Sequence, residues 1–302
     1  MNIWKDKLSK RGISLVRGFL MIGLAFIILY PLFYMIAVSI REASDMLDPT
    51  VVWIPKHFTL ENFKNVAEKM GYIKGFSMSL LISLSCSIFQ TFTCALAGYG
   101  FARFRFKGRT VLFFGALLTL MVPPQIINMP LYINYVKFTT ITGIPTIDTI
   151  IPMALPALLG TGLRSGLFIY IFRQFFKGMP KELEEAAYLD GCGPIATFFR
   201  IMLVNAGAAV LITFLISFVW YWNDYLNSAL FYTSSKPLAS ILANFTSTLQ
   251  SARHVDGSSY TLTEVQVYVQ VGALMFITPV LIFYMFLQKR FTESVVTSGI
   301  VG

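Results

Sequence analysis

The stretch 172–204, FRQFFKGMPKELEEAAYLDGCGPIATFFRIMLV, holds the densest set of residues able to do chemistry, because it is polar and helix-coded between strongly apolar neighbours. Pro180 suits the first turn of a helix, where its missing N–H costs nothing. Glu182, Glu184 and Glu185 put negative charge near the positive end of the helix dipole. Gly191 and Gly193, followed by Pro194, supply a left-handed cap and a stop, after which Ile195, Phe198, Phe199 and Met202 recur at helical spacing. The pattern predicts helix, glycine turn, helix. Three other groups stand out. Arg164 is a single charge within an apolar run, where it faces a partner or a wet cavity, or else snorkels or pairs structurally. WYWNDYLN at 220–227 combines aromatics with amides and one carboxylate, the means to stack on a ligand and hydrogen-bond it, although an interfacial aromatic belt has the same composition. Pro123 and Pro124 must break or kink whatever helix contains them.

Some chemistry is excluded. The chain has no Gly-rich loop ending in Gly-Lys-Ser/Thr, no His-Glu-x-x-His pair and no Gly-x-Ser-x-Gly elbow. GCGPIA at 191–196 mimics half of a dinucleotide fingerprint, but no strand precedes it. Two histidines, His57 and His254, lie far apart and make a poor metal site. Of the three cysteines, Cys86 and Cys94 share one apolar segment and Cys192 lies in the polar stretch, so no disulfide framework is expected.

The elements that must position these residues are membrane spans. In 302 residues, 56% are hydrophobic and only 13% charged, which lies outside the soluble globular range. The net charge of +9 falls in clusters beside apolar runs and forms no stripe with interleaved aromatics, so topology explains it and nucleic acid does not. Six spans are expected, at about 18–40, 76–102, 110–134, 149–172, 205–227 and 265–287. They leave an N-terminal segment 1–17, a polar loop 173–204 and a tail 291–302 about a transmembrane domain of 18–290. The first span is retained, since a cleaved signal would need a shorter apolar core. Basic residues at Lys5, Lys7, Lys10, Arg11 and Arg17, at Arg103, Arg105, Lys107 and Arg109, in the polar loop, and at Lys289 and Arg290 put both termini in the cytoplasm. Residues 41–74 and 233–264 then form external loops. Thr59 is a suitable N-cap for a helix entered through Leu60 and Glu61.

Glu185, Ala186 and Ala187, with Gly191, Ile201 and Leu203 at the spacing found here, resemble the cytoplasmic loop of binding-protein-dependent ABC importer permeases. Pro180, Glu182, Leu183, Leu189, Asp190 and Phe199 resemble the sugar-importing, maltose-type branch. LAGYGFARFRFKG at 96–108, MVPPQIINMPLY at 121–132 and the tail resemble the family, and Trp222-Asn223-Asp224 resembles a segment common in its sugar permeases. Val204 stands where the family usually has Pro, and Val301 where it has a basic residue; the first suggests a second helix running on into the fifth span. The resemblance implies an all-α polytopic membrane protein, a type I ABC importer permease with six transmembrane helices and a cytoplasmic coupling helix, in a bacterial plasma (inner) membrane. It implies as partners a second permease, an ABC ATPase dimer and an extracellular or periplasmic solute-binding protein. ATP and Mg would be bound by the ATPase, and this chain would be a non-catalytic subunit without a cofactor. Coupling to the ATPase would fall to Glu182, Glu185, Ala186, Ala187, Asp190 and Gly191. Arg164, Trp222, Asn223 and Asp224 are candidates for the solute pathway, with an oligosaccharide as solute, and Pro123 and Pro124 for a gate or hinge. The alternatives are the same architecture for a non-sugar solute, and an ion-gradient-driven secondary transporter. The latter would usually show two similar halves and several intramembrane ionisable groups.

Overall fold

The computed structural model describes residues 2–255 and 260–299, with side chains from 13 to 251 and from 260 to 289. The side chains of Lys5 to Arg11, of His254 and of the tail 291–302 are not among those described. Among those described the chain is helical without a strand, apart from one antiparallel bridge between Arg41 and Phe58.

In order, the helices are α1 (Asn2–Ser39), α2 (Glu61–Met70), α3 (Tyr72–Arg103), α4 (Arg109–Leu118), α5 (Pro124–Thr142), α6 (Ile151–Leu158), α7 (Ser165–Gly178) and α8 (Glu182–Leu189). Then come α9 (Pro194–Thr197), a π turn at Phe198–Met202, α10 (Leu203–Asn205), α11 (Gly207–Asn223), α12 (Tyr225–Phe231), α13 (Leu238–Ala243), α14 (Phe245–Val255) and α15 (Leu262–Gly299). Among the described residues three stretches are each long and apolar enough to cross a membrane: Ile13–Ser39, Tyr72–Arg103 and Leu262–Lys289. A fourth is possible if α9 to α10 and α11, bent by 79° at their junction, count as one. The bend falls at Ala206, although Val204 offers no Pro to cause it. The chain therefore breaks here by other means, through a π turn followed by a residue that leaves helical geometry.

The expected third and fourth spans are each divided. Thr119 to Pro123 separate α4 from α5, which begins with Pro124 in the first position, where a prolyl ring costs no hydrogen bond. Residues 159–164 separate α6 from α7. Irregular backbone of this kind is tolerated at membrane depth only where protein or a wet cavity satisfies it.

The helices form two compact units, Met1–Met70 with Asn244–Ile277 and Gly71–Ala243 with Thr278–Gly302. In the first unit, the apolar window of α1 buries nothing against protein, which fits a helix solvated by hydrocarbon. Beyond it the loop 41–58 is organised on the buried carboxylate of Asp45. One oxygen accepts the N–H groups of Lys56 and His57 at 2.8 and 2.9 Å, and the other meets His57 Nδ1 at 2.7 Å. The Thr59 hydroxyl accepts from Glu61 N–H at 3.1 Å. From α2, the Asn62 amide donates to the carbonyls of Ser39 and Arg41.

In the second unit α3 is the central helix, packed along α7, α11 and α6. Its buried stripe is Gly75, Ser79, Ser83, Ser87, Thr91, Cys94 and Gly98, small or short residues three or four apart that let neighbouring backbones approach. At Gly98 the approach is closest, since a Cβ there would lie 2.5 Å from Phe172 Cβ and 2.9 Å from the Arg173 nitrogen.

Candidate functional site

The polar loop carries α8, which lies as an eight-residue helix between α7 and the π turn. Three acidic residues fill its first turn, and its end is a Schellman turn. Gly191 N–H bonds Tyr188 O at 3.1 Å, Cys192 N–H bonds Ala187 O at 2.9 Å, and Gly191 itself has φ +79°. The helical phase divides the residues sharply. Glu184 and Ala187, three apart, face inward and are buried, while Glu182, Glu185, Ala186, Leu189, Asp190 and Gly191 are exposed. Leu189 is 90% exposed, and Ile195 beyond the turn is 75% exposed. An acidic face with a bare leucine and two small residues is therefore presented outward. A surface so composed offers hydrogen-bond acceptors around an apolar knob, the makings of a protein contact.

What holds α8 in place is the end of α3. Arg103 Nε lies 3.1 Å from Glu184 Oε2, Tyr99 O–H donates to Glu184 Oε1 at 2.9 Å, and a second Arg103 nitrogen donates to Met179 O at 2.8 Å. Sequence reasoning did not single out Glu184, Tyr99 or Arg103 as a set. Glu184 read as one of three equivalent acids at a helix start, and Arg103 as one of four topology-setting cations.

At the break between α6 and α7 the backbone groups are met by side chains of α3 and α11. Gln90 donates to Leu163 O at 2.5 Å, Thr93 donates to Leu158 O at 2.9 Å, and Leu163 N–H reaches the Tyr221 hydroxyl at 3.3 Å. Arg164 caps α7 in the left-handed region with φ +53°, and its exposed guanidinium sits 5.0 Å over the Trp220 ring. A non-glycine residue held there is strained, and such strain collects at functional breaks. The partner of Arg164 is thus Trp220. Trp222 is buried, stacked on Phe218 and edge-on to Phe76. Asn223 is exposed and turns its amide back to Val219 O, while Asp224 caps α12 by accepting from the Asn227 backbone and amide. Of the four residues grouped by sequence, three follow one another at the end of α11 and Arg164 stands apart with Trp220. Pro123 and Pro124 are exposed at the start of α5.

Residues 94–296, which contain α8, the bend and the break at 159–164, match the family described as binding-protein-dependent transport system inner membrane component. The chain belongs to this family. As such it is a multi-pass inner-membrane component of a transport system. It is 28% identical over 288 residues to the arabinooligosaccharides transport system permease protein AraQ of Halalkalibacterium halodurans, covering 92% of this chain and 93% of that one. To the diacetylchitobiose uptake system permease protein DasC of Streptomyces coelicolor it is 25% identical, covering 94% of each. The fold is that of a chain in the crystal structure of a bacterial ABC transporter involved in the import of the acidic polysaccharide alginate. Their TM-score is 0.73 at 20% identity, over 94% of this chain and 98% of that chain. Within this inner-membrane component, α8 and its glycine turn form an exposed polar loop that holds the Glu185-Ala186-Ala187 triplet.

Proposed function

We propose that the chain is one of two permease subunits of an ABC importer, lining with a sister permease the pathway for a sugar of oligosaccharide class. In this reading six spans cross the bacterial plasma membrane with both termini in the cytoplasm, α4 with α5 and α6 with α7 each making one broken span. The coupling helix is α8. An ABC ATPase dimer docks on it through Glu182, Glu185, Ala186, Asp190 and Gly191, with Ala187 packed beneath as a small residue. ATP and Mg reside in that ATPase, and an extracellular or periplasmic binding protein delivers the solute. Pro123 and Pro124 serve as a hinge, and Arg164, Trp222, Asn223 and Asp224 belong to the solute pathway.

The observation that carries this reading is the division of α8, whose outer face is exposed while Glu184 and Ala187 fix its inner face to the bundle. A rigid short helix fastened to packed spans passes a push from outside into rearrangement of those spans, which are bistable and do not deform continuously. The names of the relatives, with arabinooligosaccharide, diacetylchitobiose and starch degradation products among them, support the sugar assignment.

The test is affinity purification from native membranes in mild detergent, with identification of stoichiometric partners and assay of ATP hydrolysis. An ATPase and a second permease are expected, both lost on Glu185→Ala combined with Gly191→Pro. Recovery of the chain alone, with vesicle uptake driven by an ion gradient and indifferent to ATP, would refute the proposal.

A further inference from the structure

We infer that Glu184, Arg103 and Tyr99 form a latch that makes α3 the element moved by α8, so that these are positioning residues for coupling although none of them lies on the outer face of α8. The inference rests on the importer reading above and goes beyond it by naming which helix receives the motion.

The geometry is specific. Both oxygens of the Glu184 carboxylate are met by one helix, Oε2 by the Arg103 charge as an ion pair and Oε1 by the Tyr99 hydroxyl as a hydrogen bond, from residues four apart and so on the same side of α3. The Arg103 and Glu184 side chains are only 8% and 10% exposed, so the pair is held in a low-dielectric setting where separation is costly. The same guanidinium grips Met179 O, in the connection that leads from α7 into α8. The Tyr99 ring lies against Phe176 of α7 and Phe198 of the π turn, with centroids 5.6 and 5.2 Å away. The turn of α3 at Tyr99 and Arg103 thus touches the chain before α8, α8 itself and the chain after it.

The other end of the argument lies higher on α3. Nine residues above Tyr99, about 14 Å at 1.5 Å per residue, Gln90 holds the Leu163 carbonyl at the break that carries Arg164. Gly98 against the backbone of Phe172 and Arg173 leaves little play between α3 and α7 in the interval. A displacement of α8 therefore reaches the break along α3 as a unit. Without the latch, α8 keeps the burial of Ala187 and its packing on the π turn but loses its ion pair and hydrogen bond to α3.

The experiment uses the assembled transporter, with both permeases, the ATPase and the binding protein, in proteoliposomes. ATP hydrolysis and uptake of radiolabelled oligosaccharide are measured together, and the readout is solute carried per ATP hydrolysed. Glu184→Gln keeps the shape and removes the charge; Tyr99→Phe removes one hydroxyl. Glu184→Gln is expected to assemble and hydrolyse ATP while the ratio falls at least tenfold. Tyr99→Phe is expected to lower it about threefold, and the double variant to be no worse than Glu184→Gln alone, because both act on one carboxylate. If both variants assemble and keep the wild-type ratio, the latch has no role in coupling and the inference is overturned while the importer reading stands. If Glu184→Gln does not assemble, Tyr99→Phe decides by the same criterion. If the wild-type assembly carries no solute on ATP, the importer reading itself has failed.

Discussion

At Gly191 the cost of a side chain can be separated into its parts. The residue has φ +79°, and a Cβ built there meets nothing within 4 Å, so a substitution is opposed by backbone strain alone and not by a clash. An L-residue in the left-handed region pays about 1–2 kcal/mol, asparagine being the usual exception because its short amide bonds locally. A β-branched side chain pays the most. At about 1.4 kcal/mol for each tenfold in population, the turn with Gly191 N–H on Tyr188 and Cys192 N–H on Ala187 would be depleted roughly fivefold to thirtyfold. The series Gly191→Asn, Gly191→Ala, Gly191→Val should therefore lower ATP-driven solute uptake in that order. Asparagine should lie close to wild type and valine down by about an order of magnitude, with similar amounts of protein in the membrane. Assembled complexes in proteoliposomes provide the assay. Equal uptake by the Asn and Val variants would refute the reasoning, since it would show that the left-handed conformation at 191 is not what the turn requires.

Gly98→Leu should drive α3 from α7, because its Cβ would meet backbone that cannot swing away. A loss of at least about 1–3 kcal/mol is expected, read as a lower unfolding midpoint in detergent, and an unchanged midpoint would contradict the packing described. Asp148, partly buried, accepts bonds from the backbones of Thr233, Ser234 and Ser235 and from the Thr233 hydroxyl. These outweigh burial and bring its pKa from the usual carboxylate range down to about 2. Its folded pKa is below its unfolded one, so the stabilisation is present above pH 4 and is lost as pH falls toward 2. Asp148→Asn should flatten that fall, an effect of about 1 kcal/mol or less after solvent screening. In the loop 41–58 the sign is opposite for His57, whose pKa is raised by its bond to Asp45. That clasp is complete below the ordinary histidine pKa and weakens as pH rises through the raised value, so the protection factors of the loop amides, corrected for the base-catalysed intrinsic exchange rate, should fall as pH rises above the ordinary histidine range, and in His57→Asn they should stay flat over that rise.

Legibility in the sequence followed the length of uninterrupted pattern. The long apolar helices α1, α3 and α15 were readable because each is one continuous apolar run. The regions 110–134 and 149–172 were apolar enough to read as spans, and only in the first did a proline pair point to a break. Pro123 and Pro124 announce a break without saying that the chain turns for several residues before Pro124 restarts it. At 159–164 the break is sustained by Gln90, Thr93 and Tyr221, which lie about 60–70 residues away along the chain. No local signal carries a contact of that range. The turn at Gly191 was legible because its chemistry is local, whereas the burial of Glu184 among three acids depended on helical phase against a helix 80 residues earlier. The bend at Ala206 was not expected, because Val204 removed the residue that would have announced it. Asp224 could be picked out as a polar residue after an aromatic run, yet its bonds to Asn227 show that it starts the next helix.

The three thiols differ in access. Cys86 and Cys94 are fully enclosed on α3, while Cys192, one residue past Gly191, is half exposed. Maleimide chemistry at neutral pH should therefore stop after one adduct, on the turn that ends α8. The natural sequence already carries a single attachment point for a fluorophore or spin label there, and conformational spectroscopy of this turn needs no cysteine-free background.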